Sequence, residues 1–279
     1  MKLHTIDTGL FKLDGGAMFG VVPKTLWNKI NPADENNLCT WAMRCLLVEE
    51  GDRLTLIDNG IGNKQDDKFF GHYYLHGDDT LDGSLAKLGF SRDDITDVFL
   101  THLHFDHCGG SIVRENDKLL PAFRNATYWS NEKHWDWAIH PNDREKASFL
   151  KENILPIQES GQLSFVASED GFQFSERMKI RFAYGHTDAM MLPQLEYKGQ
   201  TIVYMADLLP SAGHIPIPYV MAYDMFPLQT LKEKKAFLEE AVANNYILYF
   251  EHDPNIECCT LQQTEKGVRV KETFKLSEI

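Results

Sequence analysis

Thr101-His102-Leu103-His104-Phe105-Asp106-His107 crowds four side chains able to hold a metal into a few residues, and everything else in the chain is read outward from it. His102, His104 and Asp106 alternate, and His107 follows Asp106 directly. In a tight loop after a strand, that spacing turns side chains toward two neighbouring points. With 11 histidines in 279 residues, a chance His-x-His-x-Asp-His is expected on the order of once in a thousand chains. Neutral imidazoles and carboxylates suit borderline divalent ions, and a ligand set without thiolates leaves coordination positions open for chemistry.

Residues 95–100 read as a strand that delivers Thr101 and His102 at its far end, and the pattern recurs. Residues 54–57 run into Asp58-Asn59-Gly60, residues 180–184 into Gly185-His186-Thr187, residues 201–205 into Ala206-Asp207, and residues 246–250 into Glu251-His252. Strands that present His or Asp at their ends are what a preorganised site requires. Residues 3–13, 42–48 and 268–274 are further strand material. Helices are expected at 81–88, closed by Gly89, at 130–139, opened by Ser130-Asn131-Glu132, and at 231–243. Residues 14–37 mix Gly, Pro and Asn with bulky apolar side chains, so an ordered flap near the site is expected there. No repeat, low-complexity tract or linker interrupts the chain, and a single domain over residues 1–279 is expected.

The bulk composition excludes several classes. Forty-three per cent apolar residues can bury a large core without staples. The 41 acidic against 28 basic residues give a net charge of −13, which argues against a general grip on nucleic-acid backbones. Five cysteines form no regular framework, so reduced thiols and a cytoplasmic setting are expected. The first residues contain no apolar leader core, and no stretch is long enough for a membrane span.

Residues 101–107 resemble the metal-binding motif of the metallo-β-lactamase superfamily, and that family's other ligands follow in order as His186, Asp207 and His252. The resemblance implies an α/β fold, an αββα sandwich of two mixed sheets flanked by helices, with the site along one edge. It implies two divalent metal ions, zinc by default with manganese, iron or cobalt as alternatives. His102, His104 and His186 would hold one, Asp106, His107 and His252 the other, and Asp207 would bridge them. Two such cations can hold a nucleophilic hydroxide at neutral pH, and Asp106 could also relay a proton. Asp58 is read both as an acid that fixes a liganding ring and as a turn residue before Asn59-Gly60. Cys108 is read as a small half-buried residue, Cys258-Cys259 as strand packing, Thr187 as a turn residue, and Trp129, Trp135, Trp137 and Phe123 as core or helix-face residues.

Within the superfamily, the complete ligand set, the acidic chain and the strand-like C-terminal segment argue against other members, and what remains, above all residues 14–24 with Leu26-Trp27 after them, is similar to the branch of N-acyl-homoserine lactone lactonases and methyl parathion hydrolase. That resemblance implies a small-molecule lactone or ester substrate and quorum quenching, with phosphotriester or aryl-ester hydrolysis as the alternative. Homodimers are common there. A metal-binding sensor without turnover is the reading from a different class. In those lactonases an early loop walls the substrate pocket, so Met18, Phe19 and Trp27 are expected to touch an acyl chain, or else to cap the core. The lactonases also carry a Tyr three residues after the bridging Asp. Here that position is Pro210, which has neither a side-chain donor nor an N–H. The replacement donor is sought in His214, Tyr219 and Tyr223.

Overall fold

Leu54-Thr55-Leu56-Ile57 is buried along its whole length, as expected of a strand covered on both faces in a parallel array. The computed structural model, which describes residues 1–279, places it so. Arg53–Ile57, Asp97–Phe99, Thr127–Asn131 and Leu163–Val166 lie parallel in sequence. Leu38–Glu50 pairs antiparallel with Arg53–Ile57, and Lys2–Asp14 completes a six-stranded sheet at its edge.

A second, seven-stranded sheet runs in the order Gly267–Phe274, Cys258–Thr264, Ile247–Tyr249, Gln200–Tyr204, Met190–Tyr197, Met178–Ala183 and Phe172–Gln173. Its one parallel pair, Gln200–Tyr204 with Ile247–Tyr249, is joined through the helix Pro227–Ala243. The helix begins earlier than its apolar periodicity indicates. Proline is tolerated in the first turn, where its missing N–H would have had no partner. Both sheets are mixed, as the resemblance implied. No helix is long and apolar enough to cross a membrane.

The chain divides into two compact units, Met1–Leu10 with Met43–Ser168 and Phe11–Ala42 with Glu169–Ile279. The first buries Leu47, Leu56, Val98, Leu100, Phe123 and Trp135 in one cluster. Phe123 and Trp135 are thus core, while the indole N–H groups of Trp129 and Trp137 donate to Asp97 and Glu145, both at 2.7 Å.

In the second unit, the expected flap is not a loop. It holds two short helices, Gly15–Phe19 and Lys24–Trp27. Asp14 anchors it by accepting from the Ala17 N–H and the Asn37 amide, both at 2.8 Å. Met18, Phe19 and Trp27 correct the expectation of substrate contact: all three are at most 1% exposed. Phe19 is stacked between Trp27 and His214, at centroid distances of 5.4 and 4.6 Å. Core-directed rings recover far more by burial than by lining a wet groove. The apolar surface of this stretch belongs instead to Val21, Leu26 and Ile30.

Candidate metal centre

In the first unit, the strand Asp97–Phe99 leads to Thr101, and Asp58 ends the neighbouring strand in the left-handed conformation (φ 55°). Aspartate tolerates that conformation better than most residues. The turn aims its carboxylate at the motif: it accepts from the Thr101 N–H (2.8 Å) and hydroxyl (2.6 Å) and faces His107 Nδ1 at 3.1 Å. Asp58 thus both turns the chain and lies against the His107 ring. After the short helix Phe105–Cys108 the chain passes so close to Ile61 that a Cβ on Gly109 would lie 2.1 Å from the Ile61 carbonyl oxygen. Only glycine fits that approach.

The rings of the motif share one arrangement. His102 places Nδ1 beside the Thr101 hydroxyl (3.1 Å), and His104 places Nε2 beside a Glu145 carboxylate oxygen (2.9 Å). Their remaining nitrogens, His102 Nε2 and His104 Nδ1, face each other at 3.1 Å. His107 directs Nε2 toward Asp106, 3.9 Å away. All four side chains are buried. His134 accepts the Leu103 N–H at 2.9 Å and fixes the motif backbone from behind.

The second unit repeats the arrangement. His186 Nε2 faces Asp207 Oδ2 at 3.1 Å, and His252 Nε2 faces Asp207 Oδ1 at 3.2 Å. The outer nitrogens are engaged elsewhere: His186 Nδ1 with Asp224 Oδ1 and His252 Nδ1 with the Ala42 carbonyl, each at 2.8 Å. Pro210 still contributes through its carbonyl, which accepts the His252 N–H at 3.1 Å. His and Asp side chains that could hold a metal ion thus occur in both units. The donor set fits divalent cations. One nitrogen of each of these rings is oriented by a fixed oxygen, which is how liganding histidines are held, and the other is directed at a second candidate ligand.

His214 departs from its expected role. Its Nδ1 lies 2.8 Å from the Ser211 hydroxyl and its Nε2 2.9 Å from the Met18 carbonyl, and the ring is 1% exposed. Burial drives its pKa down to about 3, against a smaller opposing effect of the Met18 carbonyl. Both nitrogens are committed inside the unit, so the ring is a packing element and not a donor to a substrate. Tyr219 is half-buried with its ring edge-on to Phe19 at 6.0 Å, and Tyr223 is exposed. Cys108 is wholly buried, where half-burial was expected. Its thiol donates to the Leu103 carbonyl, and burial pushes its pKa up to about 12. Cys258 and Cys259 are buried strand residues, as read. Glu145, Asp224 and the Ala42 carbonyl were not found from the sequence. None lies in a motif, and only the fold brings them to a histidine.

The family model of the metallo-beta-lactamase superfamily matches residues 44–252, which include all seven candidate ligands. The N-acyl homoserine lactonase of Bacillus thuringiensis is 21% identical over 265 residues, covering 90% of this chain and 93% of that protein. Among solved structures, a protein described as a probable metal-dependent hydrolase from Staphylococcus aureus matches with a TM-score of 0.89 and 29% identity. The match covers 98% of this chain and 96% of that one. AidC, described as a dizinc quorum-quenching lactonase, matches with a TM-score of 0.79 and 23% identity, over 98% and 94% of the two chains.

Proposed function

The chain belongs to the metallo-β-lactamase superfamily and is a metal-dependent hydrolase, and we propose that it opens the ring of a small acylated lactone using two zinc ions. In this reading His102, His104 and His186 hold one ion, Asp106, His107 and His252 hold the other, and Asp207 joins them. The observation that carries it is Asp207 itself, whose two carboxylate oxygens each face a different histidine, at 3.1 and 3.2 Å. A carboxylate serving one ion has no need of that division. Divalent ions bound there supply a nucleophile at neutral pH and stabilise developing negative charge.

The chain's own groups do the rest. Asp58, Glu145, Asp224 and the Ala42 carbonyl hold the ligand rings in one orientation, so that little reorganisation accompanies the reaction. Asp106, besides helping to hold an ion, would carry a proton toward the departing alkoxide in this reading. The lactone class is supported by the lactonase relative, which aligns over 90% of this chain. Breakdown of acyl-homoserine lactone signals, and so quorum quenching, would follow.

Two observations favour a second reading, hydrolysis of aryl esters or phosphotriesters. Pro210 offers no donor, and His214 is committed elsewhere. A substrate with a good leaving group depends less on an added oxyanion donor. The experiment is a hydrolysis screen of the zinc-loaded protein over acyl-homoserine lactones, aryl esters and phosphotriesters. Ring opening of lactones with the highest kcat/KM supports the first reading. Turnover of the activated esters alone supports the second, and no turnover of any class overturns both.

A further inference from the structure

Lys234 is 1% exposed, on the helix Pro227–Ala243. Its ammonium donates to three backbone carbonyls of a single loop: Pro216 at 2.8 Å, Tyr219 at 2.9 Å and Ile217 at 3.3 Å. An ammonium has three N–H donors, so all are engaged. Burying a charge is costly even when it is well hydrogen-bonded, and an apolar side chain of similar length would fill the same space more cheaply. That cost is visible in the side chain itself: burial lowers its pKa to about 7, with the charge of Asp224 opposing. A lysine here is explained by what its three bonds do to the loop.

The loop connects Asp207 to the helix, and within it Pro216 and Pro218 supply no N–H to tie the backbone to itself. Farther along it lies Asp224, whose carboxylate meets His186 Nδ1 at 2.8 Å. The same turn of helix also grips the other side of His186. Glu233 accepts the N–H groups of Tyr184 and Gly185 at 2.9 and 3.1 Å. Gly185 packs so tightly on the helix that a Cβ there would lie 2.3 Å from Thr230 Oγ1.

We propose that Lys234 is a positioning residue for His186. A single turn of helix, Thr230 to Lys234, clamps both the strand end that carries this histidine and the loop that carries its carboxylate partner. The clamp fixes the ring from two directions, through Gly185 on one side and through residues 216–224 on the other. The titratable group whose charge acts on Lys234 is Asp224. The inference rests on the reading of His186 as a metal ligand.

Cobalt-substituted protein separates the two claims, because its visible absorption reports ligand geometry without any substrate. Wild type that binds no cobalt would fail the metal reading itself. If wild type binds cobalt, Lys234→Met should alter the absorption bands and release metal to excess chelator roughly tenfold faster or more, the range expected when support for a liganding histidine is lost. Lys234→Arg, which can still donate to several carbonyls, should restore most of both. Should Lys234→Met not fold, Lys234→Gln, with one amide donor, should lie between wild type and complete loss. An unchanged spectrum and release rate in the folded Met or Gln variant, whatever the change in Tm, would reduce Lys234 to a fold-stabilising residue and overturn the proposal.

Discussion

Replacing Asp224 by alanine should weaken one metal position selectively, and the structure sets the scale. Asp224 and His186 are 1% and 2% exposed, and the carboxylate takes His186 Nδ1 at 2.8 Å. Alanine leaves the ring's N–H buried without that acceptor, which costs about 1–3 kcal/mol. Since about 1.4 kcal/mol is a factor of ten, metal affinity at the His186 position should fall about five- to 150-fold. The loss of an outer hydrogen-bond partner at a histidine ligand has about that effect in general. Asp224→Asn keeps an acceptor oxygen and should lose less. The assay is a competition titration of zinc against a chromophoric chelator, with circular dichroism to confirm folding. An Asp224→Ala protein that folds normally and keeps both affinities would refute the idea that the carboxylate orients a working ligand.

Phe19→Ala should destabilise the protein by about 3–5 kcal/mol in urea unfolding, as expected for a wholly buried aromatic, without changing preference among acyl chain lengths. A small stability loss with a changed preference would return Phe19 to the substrate. Gly185→Ala forces a Cβ to within 2.3 Å of Thr230, and should cost about 1–3 kcal/mol and weaken zinc binding. A variant that melts and binds like wild type would show that the contact yields. Burial raises the pKa of Asp97, but bonds from Arg53, Thr96 and Trp129 outweigh it and hold the group below its ordinary value. Its stabilisation should be full above the unfolded pKa of about 3.9 and be lost as pH falls through the lower folded value. Asp97→Asn should flatten the acid limb of urea midpoints plotted against pH, and an unchanged limb would contradict this.

The parts of the site legible in the sequence are those in which one short segment carries several ligands, or a strand end carries one. His102, His104, Asp106 and His107 announce themselves by spacing, and His186, Asp207 and His252 by following apolar runs of strand length. Asp58 was legible because its strand and turn are both local. Glu145 and Asp224 were not, because an isolated acid far along the chain looks like any solvated carboxylate until the fold sets it against an imidazole. The direction of a side chain was also hidden. Met18, Phe19 and Trp27 are apolar in any arrangement, and nothing local in residues 14–37 says that they turn inward while Val21 and Leu26 turn out. His214 misled for a similar reason: its place after Asp207 fits a donor, but its bonds to Ser211 and Met18 span 3 and 196 residues. Nothing in the sequence sets Lys234 apart from the other charged residues of its helix.

The central claim is that Asp207 joins two metal ions in one hydrolytic site, and metal content tests it most directly. Elemental analysis of zinc-reconstituted, gel-filtered protein should give two ions per chain for wild type. Asp207→Ala should give markedly fewer than one, because both histidines that face its carboxylate lose their partner together. One ion or none in folded wild type, or two retained by folded Asp207→Ala, would contradict the account.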